Sequence, residues 1–107
     1  PKEERRLLSE MDGKYRAYSN FPFEEERRFE IYTIELDEGV FLESEAHLEG
    51  TEEYITVFEG ECMIKLRDEQ FVLKNGDSIR FKADKPHSYY NEGTTKVSLS
   101  MILYYPN

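Results

Sequence analysis

The sequence predicts an all-β domain, either a sandwich or a barrel, and three observations favour this class. At least five runs alternate between apolar and polar side chains or are rich in β-branched and aromatic ones; they lie at 29–36, 54–58, 62–66, 79–81 and 97–104. Turn-forming triplets such as Asp37-Glu38-Gly39 and Asn75-Gly76-Asp77 separate these runs, and asparagine and glycine tolerate the positive φ angles of tight hairpins. No long amphipathic helix is evident.

A single folded domain is the expectation for 107 residues. The first 27 residues differ from the rest, and the segment 3–10 fits either a helical turn or an edge strand. We therefore predict an N-terminal extension or linker at 1–27, which includes this candidate edge strand, and a folded domain at 28–107. A chain that begins at Pro1 is compatible both with loss of the initiator methionine and with excision from a longer polypeptide.

The individual strands follow from the alternation of side chains. The run 29–36 carries bulky side chains on both faces, which is typical of a strand covered on two sides. The run 54–58 is rich in β-branched and aromatic residues. Apolar and polar residues alternate in 62–66 and 79–81, as in half-buried strands, and 97–104 places Val97, Leu99, Met101 and Leu103 on one face.

Composition and charge exclude several classes of function. Fourteen Lys and Arg residues against 23 Asp and Glu residues give a net charge of −9, which opposes direct binding to a nucleic-acid backbone. Apolar runs span only a few residues and no secretory signal is visible, so we expect a cytoplasmic protein without a membrane partner. The single cysteine, Cys62, cannot form an intrachain disulfide, and its alternation with Ile64 and Leu66 predicts a buried structural thiol.

The two histidines and nearby carboxylates form the candidate functional site. Glu45 and His47 are two residues apart and would share one face of a strand. Glu53 begins the next apolar run, and His87 lies shortly before Tyr89. Two imidazoles with one or two carboxylates suit a first-row transition metal. The alternative is that these side chains hydrogen-bond to one another in a metal-free barrel mouth, and the residues leave both open.

The spacing of the first histidine follows a family pattern. Gly39 is followed after five residues by Glu45-Ala46-His47, then by Glu53 and, after six intervening residues, by Gly60. This segment resembles the first motif of the cupin superfamily, in which glycine, His-x-His, glutamate and glycine occur in the same order. Glu45 stands where the family's first histidine usually lies, and five residues rather than three or four separate His47 from Glu53.

The second histidine lies in a segment that resembles the other cupin motif. Gly76 is followed after five residues by Lys82-Ala83-Asp84, then by His87 and, after three more residues, by Asn91. Lys82 and Asp84 replace the proline and glycine of the family. The resemblance implies a cupin-type double-stranded β-helix, that is, a jelly-roll barrel. It also implies a divalent metal (Zn, Fe, Mn or Ni) held by four ligands, Glu45, His47, Glu53 and His87.

A narrower resemblance indicates a function. The segment 44–60, together with the run 29–36, is similar to the C-terminal cupin sensor domain of bacterial helix-turn-helix regulators of the XRE family. This implies a domain that binds an unidentified small-molecule effector, forms a homodimer through sheet edges, and controls DNA binding by a separate N-terminal helix-turn-helix domain absent from this chain. We expect Tyr54, Tyr89 and Met101 to line the ligand pocket, although core packing also explains the tyrosines.

Two other functions stay open at this point. A freestanding small cupin metalloenzyme, such as a dioxygenase or an isomerase, would use the same pocket, with the metal activating oxygen or polarising a carbonyl. A metal-free binding or storage barrel is the third hypothesis. The classes differ experimentally, because a sensor needs an effector that changes DNA binding and an enzyme needs turnover. We predict the sensor and assign no catalytic residue.

Overall fold

The structure is a computed structural model that describes residues 6–10 and 13–106. These residues form ten strands: β1 (Arg6–Glu10), β2 (Tyr15–Phe21), β3 (Phe29–Leu36), β4 (Phe41–Ser44), β5 (Glu52–Glu59), β6 (Cys62–Leu66), β7 (Glu69–Leu73), β8 (Ser78–Lys82), β9 (His87–Tyr90) and β10 (Val97–Tyr104). The described residues contain no helix that is long and apolar enough to cross a membrane. Residues 1–5 of the predicted extension, and residues 11, 12 and 107, lie outside the described part.

The strands form two antiparallel sheets that enclose one apolar core. The larger sheet has the order β1-β2-β3-β10-β5-β8, and the smaller has the order β4-β9-β6-β7. Leu36, Ile55 and Leu99 of the larger sheet and Ile64 of the smaller sheet are almost completely buried between them. The prediction of an all-β jelly roll is therefore confirmed.

Alternation along each strand decides which side chains enter the core. In β5, Glu53, Ile55 and Val57 are buried, whereas Tyr54 and Phe58 point to the opposite, exposed face. The single cysteine, on β6, is fully buried, and burial raises the pKa of its thiol to about 11. A strand that places a glutamate among apolar residues on its inner face needs polar partners at that position.

The N-terminal strands belong to the larger sheet. β1 is its edge strand and pairs with β2, while β2 pairs with β3 through Tyr15 opposite Leu36 and Ala17 opposite Ile34. The inner face of β2 therefore faces the same interior as β3. Part of the segment predicted as an extension thus forms a wall of the barrel.

The turn between β5 and β6 requires a glycine. Gly60 has a φ of 78°, a region that residues with a Cβ adopt reluctantly. A Cβ at this position would lie 2.5 Å from the Lys96 carbonyl oxygen, just before β10. This close approach brings the β5–β6 turn against the start of β10.

Candidate metal centre and cavity

Three side chains from both sheets meet at one end of the barrel. Glu53 projects inward from β5 of the larger sheet, His87 begins β9 of the smaller sheet, and His47 lies on the loop 45–51 between β4 and β5. Each offers one ligand atom, and these three atoms all lie within 4.8 Å of one another. The cluster is therefore compact enough for one metal ion to bind all three side chains.

Backbone contacts hold the loop that carries His47. The His47 amide donates to the Ala83 carbonyl at 2.9 Å, and the Gly50 amide donates to a carboxylate oxygen of Asp84 at 3.0 Å. The Gly50 amide lowers the pKa of Asp84, which favours the charged acceptor. Asp84, which replaces a glycine of the family pattern, thus anchors the loop beside the site.

The orientation of His87 leaves one ring nitrogen facing Glu53. Its Nδ1 lies 2.8 Å from the Lys85 carbonyl oxygen, an acceptor, so Nδ1 carries the donated proton. Nε2 lies 3.3 Å from Oε2 of Glu53, and the side chains are only 1% and 0% exposed. Among the residues that the structure describes, neither atom has a hydrogen-bond partner of acceptable geometry. A cation bound by both atoms would satisfy them, so this pair of buried atoms fits a metal.

The charge of Glu53 affects its neighbours. Burial lowers the pKa of His87, but the Glu53 carboxylate and the Lys85 carbonyl outweigh that effect and raise it overall. The Tyr89 hydroxyl donates a hydrogen bond to Oε1 of Glu53. Burial and the Glu53 carboxylate both raise the pKa of Tyr89, which stays a neutral donor. One glutamate oxygen is therefore held by Tyr89, and the other faces His87.

A cavity of about 350 Å³ opens beside this cluster, and His47 and Glu53 form part of its wall. Its wall is mostly apolar and aromatic, and β2 and β3 supply one side of it. The lining side chains are Tyr15, Ala17, Tyr32, Ile34, Leu42, Glu43, Ser44, His47, Glu53, Tyr89, Met101 and Leu103. An apolar pocket with a few convergent polar groups is the usual form of a small-molecule site.

The structure separates the predicted site residues into two groups. His47, Glu53 and His87 come together, and Tyr89 and Met101 line the cavity beside them. Glu45 is exposed and lies outside the cluster. The expectation that it shares a face with His47 depended on strand geometry, but β4 ends at Ser44. Tyr54 lies on the outer face of β5, away from the cavity.

The sequence reasoning did not find the part of the wall that β2 and β3 contribute. Tyr15 and Ala17 belong to β2, and Tyr32 and Ile34 belong to β3. The alternation of β3 assigned Tyr32 and Ile34 to a common face, but the cavity was not apparent from it. No short-range signal marks Tyr15, because its position depends on the pairing of β2 with β3.

Comparisons with known proteins agree with this architecture. A family model described as the cupin domain matches residues 33–103. A crystal structure of the cupin domain of an XRE-family transcriptional regulator from Enterobacter cloacae is 31% identical, with a TM-score of 0.85, and the match covers 88% of this chain and 99% of that one. A helix-turn-helix family transcriptional regulator from Vibrio cholerae is also 31% identical, with a TM-score of 0.84, over 90% of this chain and 53% of that one.

A curated relative is also a transcriptional regulator. The helix-turn-helix-type transcriptional regulator SutR of Escherichia coli is 32% identical over 88 residues, which are 82% of this chain and 49% of the regulator. This chain therefore spans about half the length of the curated regulator that it matches.

Proposed function

This chain belongs to the cupin family, and from this premise we propose that it is the effector-binding domain of a bacterial helix-turn-helix transcriptional regulator. The observation that carries the proposal is the 350 Å³ cavity, whose wall includes strand β2 near the N-terminal side of the domain. The E. cloacae regulator domain, matched over 99% of its length, supports the same assignment.

The effector would act through linkage. In the cavity it would contact Tyr15 and Ala17 of β2, and β2 pairs with β1, which leads toward the N-terminus. An effector that binds one arrangement of these strands better than another shifts the population toward that arrangement. The same free energy then changes the operator affinity of DNA-binding domains attached on the N-terminal side. A two-fold homodimer would match such domains to a palindromic operator.

A divalent metal belongs to this proposal. His47, Glu53 and His87 would hold it, with Zn, Fe, Mn and Ni as candidates. When bound, the metal would supply a Lewis-acidic coordination point for a donor atom of the effector. The Lys85 carbonyl fixes the tautomer of His87 so that Nε2 faces the site, and Tyr89 orients the Glu53 carboxylate. Glu45 is exposed, so the ligand set that we propose has three members.

A freestanding metalloenzyme is the second candidate, favoured by the same geometry. Three protein ligands leave coordination positions open, which catalytic metal sites require. The size of the native polypeptide separates the two functions. A regulator has a polypeptide well above the 12.8 kDa of this chain, with a helix-turn-helix sequence in the additional part.

The experiment captures the native polypeptide from its source cells with an antibody to this domain and measures its intact mass and sequence. Small molecules that stabilise the domain against heat are then added to the captured protein, and its operator binding is measured by mobility shift. A native mass of 12.8 kDa, with turnover of a stabilising molecule, would contradict the regulator and favour the enzyme.

Metal binding is tested separately, by metal content after dialysis against each candidate ion. His47→Ala and His87→Ala should each lose bound metal while keeping a folded far-ultraviolet circular dichroism spectrum. Glu45→Ala is the matched control, because Glu45 is exposed and lies outside the cluster. Unchanged metal content in both histidine variants would rule out the proposed ligands.

A further inference from the structure

The outer face of the larger sheet carries an apolar stripe that crosses four strands. The strand register places Tyr54 of β5 beside Ile102 of β10, Ile102 beside Ile31 of β3, and Ile31 beside Phe21 of β2. We call these four residues the outer stripe. In the neighbouring row, Tyr104 of β10 pairs with Phe29 of β3. A groove of about 310 Å³ lies among the side chains of Phe29, Tyr54, Ile102 and Tyr104.

The stripe is exposed in one copy of the chain. Within the stripe, Phe21 is 56% exposed and Tyr54 is 36% exposed, and Tyr104 in the neighbouring row is 44% exposed. The run 29–36 has bulky side chains on both faces, which is typical of a strand covered on two sides. Within one chain the core covers its inner face, and Phe29 and Ile31 on the outer face are only half-buried. Apolar patches of this kind on a folded domain commonly mark interaction sites.

Opposite charges lie on the two sides of the stripe. Arg80 and Lys82 are exposed on β8, the edge strand beside Tyr54. On the other side, three consecutive exposed glutamates follow β2 at positions 24–26. Among the described residues, Arg27 pairs with Glu24, and no cation pairs with either of the next two glutamates. The stripe thus has a basic border and an acidic border.

We propose that a second copy of this chain packs face to face on the outer stripe, about a two-fold axis that lies between the two sheets, parallel to β10 and over the side chain of Ile102. This inference rests on the homodimer of the proposed function, and it places the interface on the outer face of the larger sheet instead of on the sheet edges expected from the sequence. β8 and β2 lie two strands away from β10 on opposite sides, so this axis places β8 of one copy over β2 of the other. Both copies then contribute the same patch, as in an isologous dimer.

The pairing that results is complementary in charge and shape. Arg80 lies in the same row as the stripe, so it would meet the ring of Phe21 of the second copy in a cation–π contact. Lys82, in the next row, would face the acidic segment 24–26 of the second copy. The axis also brings Ile102 against its own counterpart and Tyr54 against Ile31. Sheets that pack face to face in this way lie about 10 Å apart.

The test is the oligomeric state of the 107-residue chain, measured by sedimentation equilibrium and by light scattering after size exclusion. The wild-type chain should give twice the 12.8 kDa of one copy. Ile102→Lys and Tyr54→Lys each place a charge in the stripe and should raise the dimer dissociation constant by about 30-fold or more, the size of an interface hot spot. Val72→Lys is the matched control: Val72 is 51% exposed on a strand of the smaller sheet, and its variant should stay dimeric.

Charge reversal provides a test that does not disturb the apolar packing. Lys82→Glu should weaken the dimer, and the further change Glu25→Arg should restore it, since both side chains are exposed. Circular dichroism spectra and thermal midpoints verify that each variant is folded. A wild-type chain that stays monomeric would contradict the proposed homodimer itself. A dimer that persists in the stripe variants, or is lost in Val72→Lys, would overturn this interface and leave the dimer and the sensing function standing.

Discussion

Tyr89→Phe tests whether the buried glutamate depends on its hydroxyl partner. The substitution removes the donor to Glu53 and keeps the ring, which is 3% exposed and packs against His87 at a centroid distance of 5.6 Å. Because Glu53 is 0% exposed, the substitution leaves one of its buried carboxylate oxygens without its hydrogen-bond donor. A hydrogen bond to a charged group contributes about 1.5–3 kcal/mol, so the free energy of unfolding should fall by about that amount.

The assay is urea unfolding at neutral pH with a chelator present, so that metal binding does not compensate for the lost hydrogen bond. Tyr32→Phe is the matched control: the Tyr32 hydroxyl donates to Glu30 at 2.6 Å, but Tyr105 also donates to that carboxylate. The free energy of unfolding of Tyr32→Phe should fall by about 1 kcal/mol or less. Equal losses in the two variants, or a loss below about 0.5 kcal/mol in Tyr89→Phe, would refute the reasoning about Glu53.

Two further predictions concern the pH dependence of stability and the glycine turn. With a chelator present, the free energy of unfolding should fall as pH rises from slightly acid to slightly alkaline, because the folded state raises the pKa of His87 above 6.5. His87 contributes its full stabilisation below its unfolded-state pKa and loses it as pH rises through its folded-state pKa. Glu53→Gln should make the free energy of unfolding depend less on pH. An unchanged pH dependence would contradict the role of Glu53 in raising the pKa of His87. Gly60→Ala should cost more than the 1–2 kcal/mol or so of a left-handed backbone alone, because its Cβ would lie 2.5 Å from the Lys96 carbonyl oxygen. In the control Gly76→Ala, φ is 93° but no atom of the described residues lies within 4 Å of the added Cβ, so the free energy of unfolding in urea should fall by less.

Local sequence patterns predicted the strands in which apolar and polar side chains alternate, and those rich in β-branched and aromatic residues. The runs at 29–36, 54–58, 62–66, 79–81 and 97–104 all lie within strands of the structure. The sequence reasoning did not identify β2, β4, β7 and β9. β9 is buried for three of its four residues, including His87 and Ser88, because β4 and β6 flank it. Its burial comes from its neighbours in the sheet, and its own residues give no alternating pattern.

In the candidate site too, some residues could be predicted from short sequence segments, and others depend on contacts between residues far apart in the chain. Residue type and the resemblance to the two cupin motifs selected Glu45, His47, Glu53 and His87 as candidates, and the structure brings the last three together. The partner that holds Glu53 lies 36 residues away, at Tyr89, and the wall at Tyr15 depends on the pairing of β2 with β3. Such pairings are set by the whole sheet. They are therefore accessible from a structure and not from the periodicity of a single segment.

Both proposals involve the same strand, and this has a thermodynamic consequence. Glu53 and Tyr54 are adjacent in β5, and alternation points one into the cavity and the other into the outer stripe. β10 likewise carries Met101 on the cavity side and Ile102 on the stripe. A ligand that shifts these strands therefore acts on both faces. If an effector changes the dimer dissociation constant by some factor, dimerisation must change effector affinity by the same factor. Ile102→Lys should then alter effector affinity without touching the cavity, whereas an affinity that is independent of the dimer would show that the two faces of the sheet are uncoupled.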